Sequence, residues 1–305
     1  MTANSLIENA IARRKYWVDE IEVVSGKFGD NAERIEQEIS KEISKENVGV
    51  VVDHLRLCGV IPEKYQHDSS AEKLYSKYTD VLLTLAFRSL GMKSNIFTER
   101  ADAADVEGFG KDFSLVADAK AMRLSRTAKN QKDFKVEAMD KWKYGREFAI
   151  VVAPLYQLPS KASQIYSQAT TRNVCILSYS HLSVLVNFAS QKSEKAAENC
   201  LQEILVAVSE MNPTKDAQDY WRVLNRTILS ADKTLAAMWH EEKIAAQLGL
   251  AYSKTEALTF LASERERISR LSHQDAIKQL LVANNIENRE KVISGVQDNG
   301  LINLE

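Results

Sequence analysis

Apolar positions recur at helical spacing from residue 5 to about 52, beginning Leu6, Ile7, Ala10, Ile11 and Tyr16, and residues 31–46 are charged on most faces. The pattern predicts a helical N-terminal segment. After Gly59 and Pro62, Ser69-Ser70-Ala71-Glu72-Lys73-Leu74 offers a serine cap with an acid soon after, ahead of Leu74, Val81, Leu82, Leu85 and Phe87. A hydroxyl at that place satisfies amides that the first helical turn leaves open, so the run predicts a helix ending near Gly91.

The middle of the chain changes period. Short β-prone runs at 95–98, 113–117, 148–153 and 173–178 are separated by polar segments, with a basic, helix-prone stretch at 132–143 between the second and third. Continuous apolar runs of this length predict strands buried on both faces, hence an α/β sheet covered by helices. Beyond residue 180 the spacing is helical again, at 196–211, 218–229, 234–248, 254–271 and 274–284. The expected division is a helical segment over 1–65, an α/β core over 66–190 and a helical subdomain or oligomerisation surface over 191–305. Trp221 and Trp239, on those later helices, are expected to pack rather than to stack on bases.

Composition narrows the function classes. With 45% hydrophobic residues, only 11 Gly and 4 Pro, the 305-residue chain reads as ordered and helix-rich. A net charge of −2 gives no global basic field, so a nucleic-acid partner must be held by a local patch. Cys58, Cys175 and Cys200 lie far apart without a C-x-x-C pair, which predicts reduced thiols in a cytoplasm. Apolar stretches such as 148–155 are too short to cross a bilayer, so no membrane partner is expected. The five histidines lack zinc-ligand spacing, and no Gly-rich phosphate cradle occurs, so neither zinc nor a nucleotide cofactor is expected.

One segment breaks a buried strand with charge. Along Phe113-Ser114-Leu115-Val116-Ala117-Asp118-Ala119-Lys120, strand periodicity puts Asp118 and Lys120 on one side, with Glu99, Asp102 and Asp105 upstream. Paired carboxylates suit a hard divalent cation, and a neighbouring ammonium can steady charge developing on a phosphate. Asp105 and Asp118 are the natural pair, Lys120 the ammonium, and the Ala119 carbonyl a further ligand. The triplet alone discriminates little: acid-x-lysine recurs at Asp133-Phe134-Lys135 and at Glu241-Glu242-Lys243, the latter read as a solvated helix face. A strand-end salt bridge fits Asp118 and Lys120 as well as catalysis does.

The following stretch is basic. From Asp118 to Arg146 there are nine basic and four acidic residues, the bases falling at Lys120, Arg123, Arg126, Lys129, Lys132 and Lys135 and then at 141, 143 and 146. A three-residue repeat winds around a helix, so the first part, with Ser125, Thr127 and Asn130, reads as a loop. Such a loop can contact phosphates and reach base edges, and it can equally be a solvated basic face.

At these residues the sequence resembles the HindIII type II restriction endonuclease family. The likeness is strongest in Leu115-Val116-Ala117-Asp118-Ala119-Lys120 and across 123–136, and thinner at 69–80, 86–87, 104–106, 153–154 and 163–165. It implies an α/β, restriction-endonuclease-like (PD-(D/E)XK) core with a mixed central sheet flanked by helices, plus helical N- and C-terminal segments. It further implies a homodimer that hydrolyses double-stranded DNA at a palindrome, AAGCTT for this family, with Mg2+ or in its place Mn2+, leaving 5′-phosphate and 3′-hydroxyl ends. Carried over by position, Asp105, Asp118, Lys120 and Glu99 are the catalytic residues, and Asp105, Asp118 and Ala119 hold the metal. Arg123, Arg126, Ala128, Lys129, Asn130, Asp133 and Lys135 are expected at the DNA. The approach to Asp105 departs from the family's Gly-rich pattern, and Asp102 there is an alternative to Glu99 or Asp105. A structure-reading repair nuclease and a non-catalytic DNA-binding or helical interaction protein are the competing readings.

Overall fold

The computed structural model describes residues 3–23, 28–97, 103–126 and 131–294. Three helices open the chain, α1 (Glu8–Val23), α2 (Phe28–Lys45) and α3 (Gly49–Cys58), followed by α4 (Ser70–Ser89). The Ser69 hydroxyl accepts from the Glu72 amide while the Glu72 carboxylate accepts from the Asp68 amide, so the cap expected from sequence starts α4. Gly91, at φ 84°, takes the left-handed turn that releases the chain into the sheet.

Five strands lie side by side in chain order: β1 (Lys93–Ile96), β2 (Val106–Phe109), β3 (Ser114–Ala119), β4 (Phe148–Ala153) and β5 (Val174–Ser178). The first three pair antiparallel and the last three parallel, so the sheet is mixed, as expected. β4 and β5 are buried along their whole length, which is why their runs are apolar without alternation. β2 escaped the sequence reading, because Glu107, Gly108 and the polar residues around it carry little strand signal.

Helices α5 (Val136–Trp142), α6 (Gln164–Arg172) and α7 (Tyr179–Gln191) follow β3, β4 and β5, so the parallel half is built of crossover units. Then come α8 (Glu194–Ser209), α9 (Ala217–Ala231), α10 (Leu235–Ser269), α11 (His273–Ala283) and α12 (Ile286–Ser294). The helices expected at 234–248 and 254–271 are one, and Gly249 does not interrupt it: a Cβ there would crowd Leu57 and the Arg56 carbonyl of α3, so the glycine serves close packing. The chain divides into two units, Met1–Ala257 and Leu258–Glu305. Among the described residues no helix is long and apolar enough to cross a membrane.

Within the first unit the Glu241-Glu242-Lys243 triplet departs from the sequence reading at its middle residue, while Glu241 and Lys243 are exposed as expected. Glu242 is only 3% exposed, not on a solvated face: the Arg56 guanidinium on α3 donates to it at 3.0 Å, and burial pushes its carboxyl up to about 7. Further along α10, Arg14 of α1 donates three hydrogen bonds to Glu256, so this part of the helix is seated by an ion pair as much as by apolar contact. The tryptophans do pack. Trp221 stacks on His181 at 5.3 Å and donates to the Tyr166 hydroxyl, and Trp239 meets the same imidazole edge-on. All three cysteines are free and buried.

His181 caps α7 through Ser178, donates from Nε2 to Asn225 Oδ1 (3.0 Å), and is held neutral by burial, its pKa lowered to about 4. An unfolded chain binds the proton near the ordinary 6.5, so this group's stability is present above pH 6.5 and lost as pH falls toward 4, by about 3 kcal/mol. His54 shifts the same way. Urea unfolding from pH 7 to 4 should therefore show stability falling with acid, and His181→Gln should shallow that slope by close to one proton. An unchanged slope contradicts the neutral buried ring.

Candidate active site

The register of β2 against β3 dictates the site. Val106 faces Ala117, so extending the antiparallel ladder by one residue sets Asp105 opposite Asp118. The Asp105 amide donates to the Ala117 carbonyl at 3.2 Å, and its carbonyl accepts from the Phe97 amide at 2.9 Å. Like charges placed directly across a ladder repel, and here one of them is fully buried. Sequence reasoning paired these two aspartates, and the sheet brings them together.

Lys120 lies on the same side of the strand as Asp118, and its ammonium contacts Asp118 Oδ2. That ion pair does not satisfy the carboxylate: neither Asp118 oxygen receives a well-formed hydrogen bond among the described residues. By strand alternation the Ala119 carbonyl points to the same edge as that of Ala117, toward the side from which Asp105 enters. The Lys120 amide meanwhile extends the parallel ladder, donating to Val152 at 2.7 Å, and the Tyr179 hydroxyl donates to the Lys120 carbonyl at 3.1 Å. The backbone carrying Lys120 is thereby fixed by β4 and α7.

A third carboxylate, given no role from sequence, comes from α4. Asp80 is 2% exposed and accepts from Lys77 at 2.9 Å, while Lys77 also lies 3.7 Å from Asp105. Burial, and then the Asp105 charge with a smaller contribution from Asp118, push the Asp80 carboxyl well above the carboxylate range. Burial followed by Asp118 raises Asp105 to about 6, against the opposing pull of Lys77 and Lys120. Three carboxylates thus face two ammonium groups. The signal for Asp80 was present: an acid and a lysine three residues apart within a helix otherwise apolar on nearly every face.

The basic segment is tied to the same helix. Arg123 donates to Glu72 at 2.8 Å and to the Pro62 carbonyl at 3.1 Å, Ser125 donates to Glu63, and Arg126 pairs with Asp133. Lys135, in the left-handed conformation before α5, sits 5.1 Å over the Trp142 ring. Of the residues expected at the site or the DNA, Glu99, Ala128, Lys129 and Asn130 lie outside the described residues, as does Asp102. His67, Asp68 and Glu72 also converge at the start of α4, but Glu72 is engaged by Arg123 and the Asp68 amide, so the group closes the helix end.

The site fits a divalent cation. A buried carboxylate whose oxygens lack hydrogen bonds, beside another whose pKa is lifted by like charge, has spare acceptor capacity and uncompensated negative charge.

The model of the HindIII restriction endonuclease family matches residues 14–297. The chain is 31% identical over 276 residues to the type II restriction enzyme HindIII of Haemophilus influenzae, an alignment that covers 86% of this chain and 90% of that enzyme. The chain therefore belongs to the HindIII restriction endonuclease family and is a site-specific deoxyribonuclease.

Proposed function

We propose that the enzyme is a type II restriction endonuclease of the PD-(D/E)XK kind, with Asp105 and Asp118-Ala119-Lys120 as its signature residues and magnesium as its cofactor. The observation that carries this reading is the register-enforced meeting of Asp105 and Asp118 beside Lys120, at the end of a buried strand. Asp105, Asp118 and the Ala119 carbonyl would hold Mg2+, or Mn2+ in its place, with Asp80 adding charge from α4. When bound, the cation supplies Lewis-acid charge to the scissile phosphate.

The chain's own residues do the rest. Asp118 fixes the Lys120 ammonium, whose anchored backbone aims it at the place where negative charge develops on phosphorus. Lys77 holds Asp80 and Asp105 in a fixed relation, so the carboxylates need no rearrangement as a phosphate approaches. Glu99 is assigned to the same site by its family position. The segment with Arg123, Arg126, Ala128, Lys129, Asn130, Asp133 and Lys135 is proposed as the DNA-facing element. Within it Arg123 positions the segment against α4, and the Arg126–Asp133 pair closes the loop whose middle reads the groove. A palindromic target, AAGCTT by the family resemblance, calls for a two-fold homodimer, and the ends are proposed as 5′-phosphate and 3′-hydroxyl. The three buried thiols suit the reducing cytoplasm in which such an enzyme meets incoming DNA.

Digestion of a sequenced plasmid with magnesium is expected to give discrete fragments whose ends map to AAGCTT. Nicking or a smear would instead indicate a nuclease that reads DNA structure, and an intact plasmid at every enzyme and metal concentration would remove the catalytic reading.

Asp118→Asn should lower cleavage by at least about a thousandfold while DNA binding persists. Because it relieves the repulsion with Asp105, the same substitution should raise the stability of the metal-free protein by about 1 kcal/mol. Retained cleavage would place the active site elsewhere, and a loss of stability would show that the Lys120 pair outweighs the repulsion.

A further inference from the structure

The second unit is a surface in want of a partner. Among the described residues, eight of fifteen exposed large hydrophobic side chains fall between 258 and 293, and from 258 to 294 none is buried. Leu258, Leu261 and Ile268 form one stripe along the last turns of α10, and Ile277, Leu280 and Leu281 take the i, i+3, i+4 positions of α11. Helices this short draw their stability from a buried face, so an amphipathic face left open marks a contact.

Charge decides which contact. Residues 258–294 hold six basic and five acidic side chains, and the signs alternate closely, as in Glu264-Arg265-Glu266-Arg267, where Glu264 pairs with Arg267 at 3.0 Å. A surface that binds the DNA backbone needs a basic excess, which is missing here. Mixed, nearly neutral charge around an apolar stripe is self-complementary under a two-fold axis, because each basic position can meet an acidic one on an identical neighbour.

We propose that the apolar face of α10 beyond Leu258 and of α11 is where a second copy of this chain docks. The proposal deepens the two-fold reading above and rests on it, but its test needs neither DNA nor metal. Pairing through this unit would tie two nuclease cores together.

The full chain is to be sedimented from sub-micromolar to tens of micromolar concentration, with Leu280→Asp, Leu258→Asp and, as a control on α8, Val206→Asp. The wild type and Val206→Asp are expected at twice the 34.3 kDa chain mass, and each leucine variant should weaken pairing at least about tenfold with its helical circular dichroism intact. Because a variant can also fail to fold, hydrogen exchange of the wild type at both ends of the concentration range is the second readout. Amides of 258–294 should gain protection only where the dimer forms. Dimers that survive both leucine substitutions, or protection there that does not depend on concentration, overturn this surface and leave the homodimer standing. A wild type that stays monomeric throughout overturns both.

Discussion

Two aspartates opposed across an antiparallel ladder, one of them fully buried, set the terms for the rest of the molecule. Asp105 and Asp118 are brought together by the Val106–Ala117 register, and Asp80 approaches from α4. Two lysines, Lys77 and Lys120, offset part of that charge and leave a deficit. A one-residue slip of β2 would turn Asp105 away from Asp118 and carry Val106 out of the core, so the hydrophobic pattern that fixes the sheet also fixes the site. The apolar packing of the core must outweigh this repulsion, and the parallel strands β4 and β5, buried end to end, supply much of it.

The same helix organises both halves of the active surface. Near its start, Glu72 caps the helix and grips Arg123; one and a half turns on, Lys77 and Asp80 reach the carboxylates. The basic segment proposed to face DNA is thus anchored to the same helix that brings Asp80 and Lys77 to the carboxylates. Arg123 has its donors engaged by Glu72 and the Pro62 carbonyl, so its contribution is to hold the segment in place.

Much of this was legible in the residues. The Ser69 cap, the buried runs of β4 and β5 and the change to helices after 180 follow from local periodicity, and Asp118 and Lys120 announce themselves as charge at the end of an apolar strand. What periodicity could not supply was non-local. β2 is short and carries Glu107 and Gly108, so only its partners make it a strand. Glu242 looks solvated until α3 brings Arg56 to it. Lys77 three residues before Asp80 is its one local signal; that it meets Asp105 depends on α4 packing across the sheet. The acid-x-lysine pattern occurs three times in the chain, and strand context together with family likeness, rather than the triplet, singled out the copy at Asp118.

The most direct test of a carboxylate cluster that needs a cation is stability against pH with and without magnesium, in the absence of DNA. Asp105 titrates near 6 in the fold and near 3.8 when unfolded, so without metal its contribution falls as pH rises between those values. On the proposed site magnesium would bind the ionised pair, so the stabilisation it adds should be small at pH 5, grow through pH 6 and level off above pH 7. A magnesium increment that is absent, or equal at pH 5 and pH 8, would contradict the account.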